Sequence, residues 1–153
     1  MSDYSQANSP SQSVLVASNK VKKNPDQPKE SRELAISIAQ AASDRKADEI
    51  ILLHVAEVSY LADYFVMVTG YSRVQVRAIA QAIEANVEQL WQRRPLRTEG
   101  QADGTWVLKD YGDVMVHIMM PKEREFYNLE AFWGHAERVE FSPSDEVSGK
   151  LAP

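Results

Sequence analysis

Residues 105–120, TWVLKDYGDVMVHIMM, decide the fold. Two apolar runs flank Asp110-Tyr111-Gly112-Asp113, and a Gly with Asp neighbours supplies the positive φ angles that a tight turn needs. The stretch reads as a β-hairpin with Tyr111 and Gly112 as the loop. That register sets Lys109 opposite Val114, Leu108 opposite Met115, Val107 opposite Val116 and Trp106 opposite His117. Side chains alternate along a strand, so the hairpin has two faces. Thr105, Val107, Val114, Val116 and Ile118 make a mostly β-branched face suited to packing under helices. Trp106, Leu108, Met115 and His117 make the other, which fits two readings. It is either plain core or a binding surface, because Trp and Met are favoured at recognition patches.

Outward from the hairpin, the bounds are simple. The chain has 153 residues, 44% of them hydrophobic, enough for one globular domain that needs neither metal nor disulfide to hold its core. It has no Cys, which removes disulfides, thiol nucleophiles and thiolate metal sites together. No apolar run approaches the roughly 20 residues of a membrane span, and the first residues lack the apolar core of a secretory signal. The expectation is a soluble cytoplasmic protein. Net charge is -5. Residues 1–30 hold four Lys against three acids, leaving 13 bases and 19 acids from Ser31 onward, a net of -6. That balance argues against a broad phosphate-binding surface and fits a basic protein partner.

Residues 1–30 are rich in Ser, Asn, Gln, Pro and Lys, with one short apolar group at Val14-Leu15-Val16. Such a segment cannot bury enough apolar surface to offset its ordering entropy, and reads as a disordered tail. Residues 142–153 read as a flexible C-terminal tail, leaving a folded domain over 31–141. Ser31 is the expected N-cap of a first helix carrying Leu34, Ile38 and Ala41 or Ala42 on one face and fading near Arg45-Lys46. Residues 48–55 (DEIILLHV) and 64–69 (YFVMVT) read as strands. Ser72-Arg73-Val74-Gln75 is a capping box just after Gly70, so a helix starts there with Val76, Ile79, Ile83, Val87 and Leu90 as its apolar stripe. Pro95 stops it. Residues 95–99 form a short strand, and Pro121 ends the last strand of the hairpin. Residues 122–133 (KEREFYNLEAFW) read as one helix, with Phe126, Leu129 and Phe132 or Trp133 sharing a face and Gly134 at its C' position. The fold class is α/β, a mixed sheet of roughly five strands flanked by helices.

Chemistry is sparsely signalled. A strand, Gly70 and a helix N-terminus make a geometry that binds phosphates, yet one Gly is neither of the established Gly-rich motifs. Asp110 and Asp113 could hold a metal with His117, but carboxylates at hairpin ends are ordinary turn formers. His54 closes a strand and reads as an edge or core histidine. The three His residues lack metal-ligand spacing, and no Ser-His-acid grouping stands out. The expectation is no enzyme, no cofactor and no metal. The alternative is a nucleotidyltransferase-like enzyme using Gly70, Ser72 and the Asp110 and Asp113 pair.

Five blocks in order carry a resemblance: ADYFVMVTGYS, VRAIA, PLRTEG, WVLKDYGDVMVH and EREFYNLEAFW. Over roughly 100 residues, from Leu34 to Trp133, the chain resembles the ribosomal silencing factor family, RsfS, also called Iojap. The resemblance implies an α/β domain similar in outline to nucleotidyltransferases but without their catalytic carboxylates. It implies a translation repressor, active when nutrients are short or growth stops. Such a protein binds the large ribosomal subunit through ribosomal protein fourteen and blocks joining of the small subunit. It also implies a recognition surface of Trp106 and Tyr111 in the hairpin with Arg124, Tyr127 and Glu130 after it. His54 stands where the family usually has Asp, and Met119 where Phe is common. The apolar hairpin face is also open to use in a homodimer, while direct nucleic-acid contact should be small.

Overall fold

The computed structural model describes residues 27–144. The elements are α1 (Gln27–Asp44), β1 (Asp48–His54), β2 (Tyr64–Thr69), α2 (Arg73–Trp91), β3 (Arg97–Glu99), β4 (Trp106–Asp110), β5 (Val114–Met119), α3 (Pro121–Tyr127), α4 (Leu129–Phe132) and β6 (Glu137–Val139). Among the described residues six strands form one sheet in the order β3-β4-β5-β2-β1-β6, parallel only between β2 and β5.

β2 and β5 sit in the middle and are buried along their whole length. Alternation sends their residues into two separate cores. Val66, Val68, Val107, Val114, Val116 and Ile118 pack with Leu34, Ile38, Val76, Ile79, Ile83 and Val87 of α1 and α2. Leu53, Phe65, Met67 and Met115 pack on the other side with Leu108, Leu129 and Trp133. The two hairpin faces are therefore divided as their alternation predicts.

The turn itself is one residue further along. Tyr111 N–H donates to Val114 O at 2.9 Å, so Gly112 and Asp113 are the loop, and Trp106 lies opposite Met119 while Leu108 lies opposite His117. Gly112 takes φ 93, and the Asp110 carboxylate accepts its N–H at 2.8 Å, which fixes this register. The two-residue shift is even, so no side chain changes face.

α1 begins four residues before Ser31, which is no N-cap. Ser31 is fully buried, and its hydroxyl donates to Asp113 Oδ2 at 2.6 Å. Arg93 Nη2 donates to Asp113 Oδ1 at 2.7 Å and to Tyr111 O, also at 2.7 Å. Burial alone would raise the Asp113 carboxyl, but the hydrogen bonds from Arg93 and Ser31 outweigh it and hold the pKa below the usual range. One carboxylate thereby ties α1, the end of α2 and the hairpin turn together. The expected tail over 1–30 loses residues 27–30 to α1; the rest of it, and residues 145–153, lie outside the described residues. Within the expected C-terminal tail, Ser144 N–H donates to Gln40 Oε1 of α1 at 2.9 Å.

The capping box at α2 is present in altered form. Ser72 Oγ accepts from Gln75 N–H at 3.0 Å, while Gln75 Oε1 reaches back to Tyr71 N–H at 2.7 Å. Its amide nitrogen also donates to Arg45 O and Lys46 O, closing the C-terminal end of α1. Leu90, expected on the stripe, is 59% exposed. Residues 122–133 break into two helices because Asn128 adopts φ 44 and ψ 56, ending α3 with its N–H on Arg124 O. β6 is a sixth strand, paired antiparallel to β1, where His54 stacks on Tyr64 and its Nδ1 meets Glu137 Oε1 at 3.2 Å.

Candidate protein-docking face

β5 ends at Met119, and Met120 with Pro121 turns the chain straight into α3 on the side of the sheet away from α1 and α2. α3 then lies across the ends of three strands. Trp106 pairs with Met119, and Met119 with Thr69, so these three side chains form one row across the sheet. Arg124 and Tyr127, one helical turn apart on the same face of α3, meet the two ends of that row.

At the Trp106 end, the Tyr127 ring lies with its centroid 4.7 Å away at 51°. Phe126 stands edge-on to Tyr127 at 4.9 Å. Inward, Trp106 Nε1–H donates to His117 Nδ1 at 3.2 Å, and His117 meets Phe65 edge-on, which in turn meets Trp133. A continuous aromatic line thus runs from solvent into the core: Phe126 is 78% exposed, Tyr127 51%, Trp106 half-buried and Phe65 buried. Accepting at Nδ1 requires a neutral His117 ring. Burial, helped by the Arg124 charge, lowers its pKa to about 4.

Two open grooves flank the Trp106 ring. One, about 430 Å³, is lined by Thr105, Lys122, Glu123, Phe126 and Tyr127; the other, about 320 Å³, by Glu99, Gly100, Leu108 and His117. Each is large enough for one side chain of a partner but too open to enclose a small ligand. A half-buried indole standing between two grooves with its N–H fixed has the form of the rigid aromatic anchors found in protein interfaces.

At the other end of the row, Arg124 is 6% exposed. Its Nε donates to Glu130 Oε2 at 3.0 Å and its Nη1 to Thr69 Oγ1 at 2.9 Å; Thr69 Oγ1 donates to Glu49 Oε1 at 2.9 Å. Arg124 Nη2 and Glu130 Oε1 are buried without hydrogen-bond partners among the described residues. Arg124 therefore works inside the protein, clamping α3 and α4 to β2, and Glu130 is its half-buried counter-ion.

Tyr111 departs furthest from its expected place. It is 2% exposed, on the helix-covered side of the sheet, in the core with α2. Its hydroxyl has no hydrogen-bond partner among the described residues, and burial pushes its pKa upward. The hairpin's odd-numbered positions 105 to 111 share one face, so a Tyr at 111 follows Val107 inward while Trp106 points out. Of the five expected site residues, the structure brings Trp106 and Tyr127 together at the surface, puts Arg124 and Glu130 at the other end of the row, and separates Tyr111. Phe126 and Thr69 belong to the arrangement and were not foreseen. Phe126 reads as core at helical spacing from Leu129 until Asn128, a residue tolerant of left-handed backbone, interrupts the helix.

The residues of the enzyme alternative are not brought together. Gly70 and Ser72 follow β2, whereas Asp113 precedes β5; with these strands parallel and in register, the two groups sit at opposite ends of the sheet, roughly 20 Å apart. A Cβ at Gly70 would come within 2.9 Å of Val76 Cγ2, so this glycine lets α2 pack close. Asp110 holds the turn and accepts from Arg97 Nε at 3.2 Å. Among the described residues, no helix is long and apolar enough to cross a membrane.

The family model described as ribosomal silencing factor during starvation matches residues 28–152. The ribosomal silencing factor RsfS of Halalkalibacterium halodurans is 39% identical over 109 residues, 71% of this chain and 92% of that protein. A mouse protein named mitochondrial assembly of ribosomal large subunit protein 1 is 29% identical over 89 residues, 57% of this chain and 39% of that one. The crystal structure of a protein from Chromobacterium violaceum matches with a TM-score of 0.65 and 32% identity, covering 72% of this chain and 91% of that one.

Proposed function

The chain belongs to the ribosomal silencing factor family, and from that premise we propose that it binds the large ribosomal subunit through ribosomal protein fourteen and keeps the small subunit from joining. The observation that carries this reading is Trp106, half-buried and fixed at its N–H, flanked by Tyr127 and Phe126 at the surface of a domain with an excess of acids. A basic ribosomal protein offers the complementary charge, and aromatic anchors supply the affinity. The mouse relative's name, with its reference to the large subunit, supports the choice of subunit.

Trp106 and Tyr127 are the direct contacts in this proposal, with Phe126 beside them. Arg124 and Glu130 act from the other end of the row by holding α3, and Tyr111 acts only by filling the core under the turn. The mechanism is steric: the bulk of the domain occupies space that the small subunit needs, with no covalent step, cofactor or metal. It places the protein in the cytoplasm as a repressor of translation when nutrients run short. A homodimer through the same aromatic face would compete with ribosome binding.

Sedimentation decides it. Purified large subunits should carry the protein into the pellet, and adding it before small subunits should reduce the joined-ribosome peak. Equal pelleting with small subunits alone, or an unchanged joined peak, would refute the reading.

A further inference from the structure

Thr69 and Glu49 are not among the direct contacts proposed above, yet they hold the frame of the docking face. We infer that they are positioning residues that set the docking face through Arg124; this rests on the proposed ribosome binding. The argument is geometric. Thr69 and Trp106 stand at the two ends of one cross-sheet row, separated by Met119. Neighbouring strands are about 4.8 Å apart, so the ends are roughly 10 Å apart, a span that the side chains of Arg124 and Tyr127 cover from one face of α3. Fixing Arg124 at Thr69 therefore fixes where Tyr127 meets Trp106.

The fixing is specific. Thr69 is fully buried, and its hydroxyl both accepts from Arg124 Nη1 and donates to Glu49 Oε1, each at 2.9 Å. A hydroxyl that donates to a carboxylate has its lone pairs directed at the guanidinium, so the Glu49 charge strengthens the Arg124 bond through Thr69. Glu49 itself is held in an unusual backbone conformation, φ 47, where the pairing of β1 with β2 is irregular between Asp48 and Ile51. The irregularity turns an exposed residue's carboxylate inward onto Thr69. α3 has only seven residues, and its N-cap Met120 makes no side-chain capping bond. Such a helix depends on tertiary anchors, and Arg124 is its one buried residue.

The test uses the full chain with Thr69→Val, which keeps the shape and removes the hydroxyl, Thr69→Ser, which restores it, and Glu49→Ala as a milder exposed change. Two readouts are taken on each: hydrogen exchange of the amides of Arg124 to Asn128, and affinity for large subunits by pelleting, corrected for the folded fraction from urea unfolding. Thr69→Val is expected to speed exchange in α3 about tenfold relative to α2 and to weaken pelleting about tenfold. Glu49→Ala should do the same about threefold, and Thr69→Ser should behave as the parent. Unchanged α3 exchange in Thr69→Val and Glu49→Ala, or a Ser variant as loose as the Val variant, overturns the inference. If Thr69→Val does not fold, Glu49→Ala alone decides. Should the parent chain itself fail to pellet, the ribosome reading falls, while exchange still decides whether Thr69 and Glu49 hold α3.

Discussion

Trp106 and Val116 stand on opposite faces of one hairpin, and truncation should affect them in opposite ways. Trp106→Ala removes the half-buried anchor, and binding to large subunits should weaken by about 2 kcal/mol or more. Its indole also packs at a tilt against Tyr127 and bonds to His117, so a stability loss on the order of 1 kcal/mol accompanies it. Val116→Ala leaves a cavity in the core under α1 and α2 and should cost about 1 to 3 kcal/mol, with binding lowered only as the folded fraction falls. Pelleting beside urea unfolding separates the two; a Trp106→Ala protein that unfolds readily yet binds fully when folded would reverse the assignment. Asp113→Asn is a third case. It leaves Arg93 with no carboxylate partner and should destabilise by several kcal/mol without touching the docking face, because Asp113 lies at the far end of the sheet. Single residues were the hardest to place from sequence. Tyr111 sits in a turn motif that reads as exposed, and only the alternation of β4 carried past its end sends it inward.

Elements were more legible than their ends. Both long helices and five strands follow from apolar period, and the start of α2 from its capping residues, while the faces of the hairpin survive an error of two in register because alternation has period two. What escaped was set by tertiary contacts: β6 is three residues long and formed by pairing with β1, and the Ser31 hydroxyl, read as an N-cap, is taken by Asp113, 82 positions away. Asn128 is the local exception, a break that sequence could have signalled. At φ 44 it should accept Gly with little loss, whereas Asn128→Ala should cost about 1 kcal/mol and shift the α3–α4 junction, seen as a lower unfolding midpoint. Lys109 gives the contrary expectation. It is 1% exposed on the helix side of β4, with Nζ 2.7 Å from Glu84 Oε1 and 3.2 Å from Thr98 Oγ1. Both partners can turn to water, so Lys109→Met should be neutral or stabilising in urea unfolding.

For the molecule as a whole, acid should act in two stages. His117 is buried neutral with its pKa lowered to about 4, against about 6.5 in the unfolded chain, so the unfolded state takes up the proton first. Its contribution is complete above pH 6.5 and is lost as pH falls toward 4, a change of about 3 kcal/mol. Asp113, with its pKa depressed, adds a further loss below the ordinary carboxylate range as it is protonated in turn. Urea midpoints between pH 7.5 and 4.5 should fall in the parent and stay nearly level in His117→Gln; parallel slopes in both would remove His117 from the account. The tie from Ser31 to Asp113 also cannot close until residue 113 has been synthesised. Residues 31 and 113 are 82 apart, and at roughly 5 to 20 residues per second about 4 to 16 s of synthesis separate them. During that interval α1 has no carboxylate to bind and β2 has no parallel neighbour, since β5 is still to come. The surface aromatics Trp106, Phe126 and Tyr127 are thus set in place only after α1, β1, β2 and α2 have been synthesised.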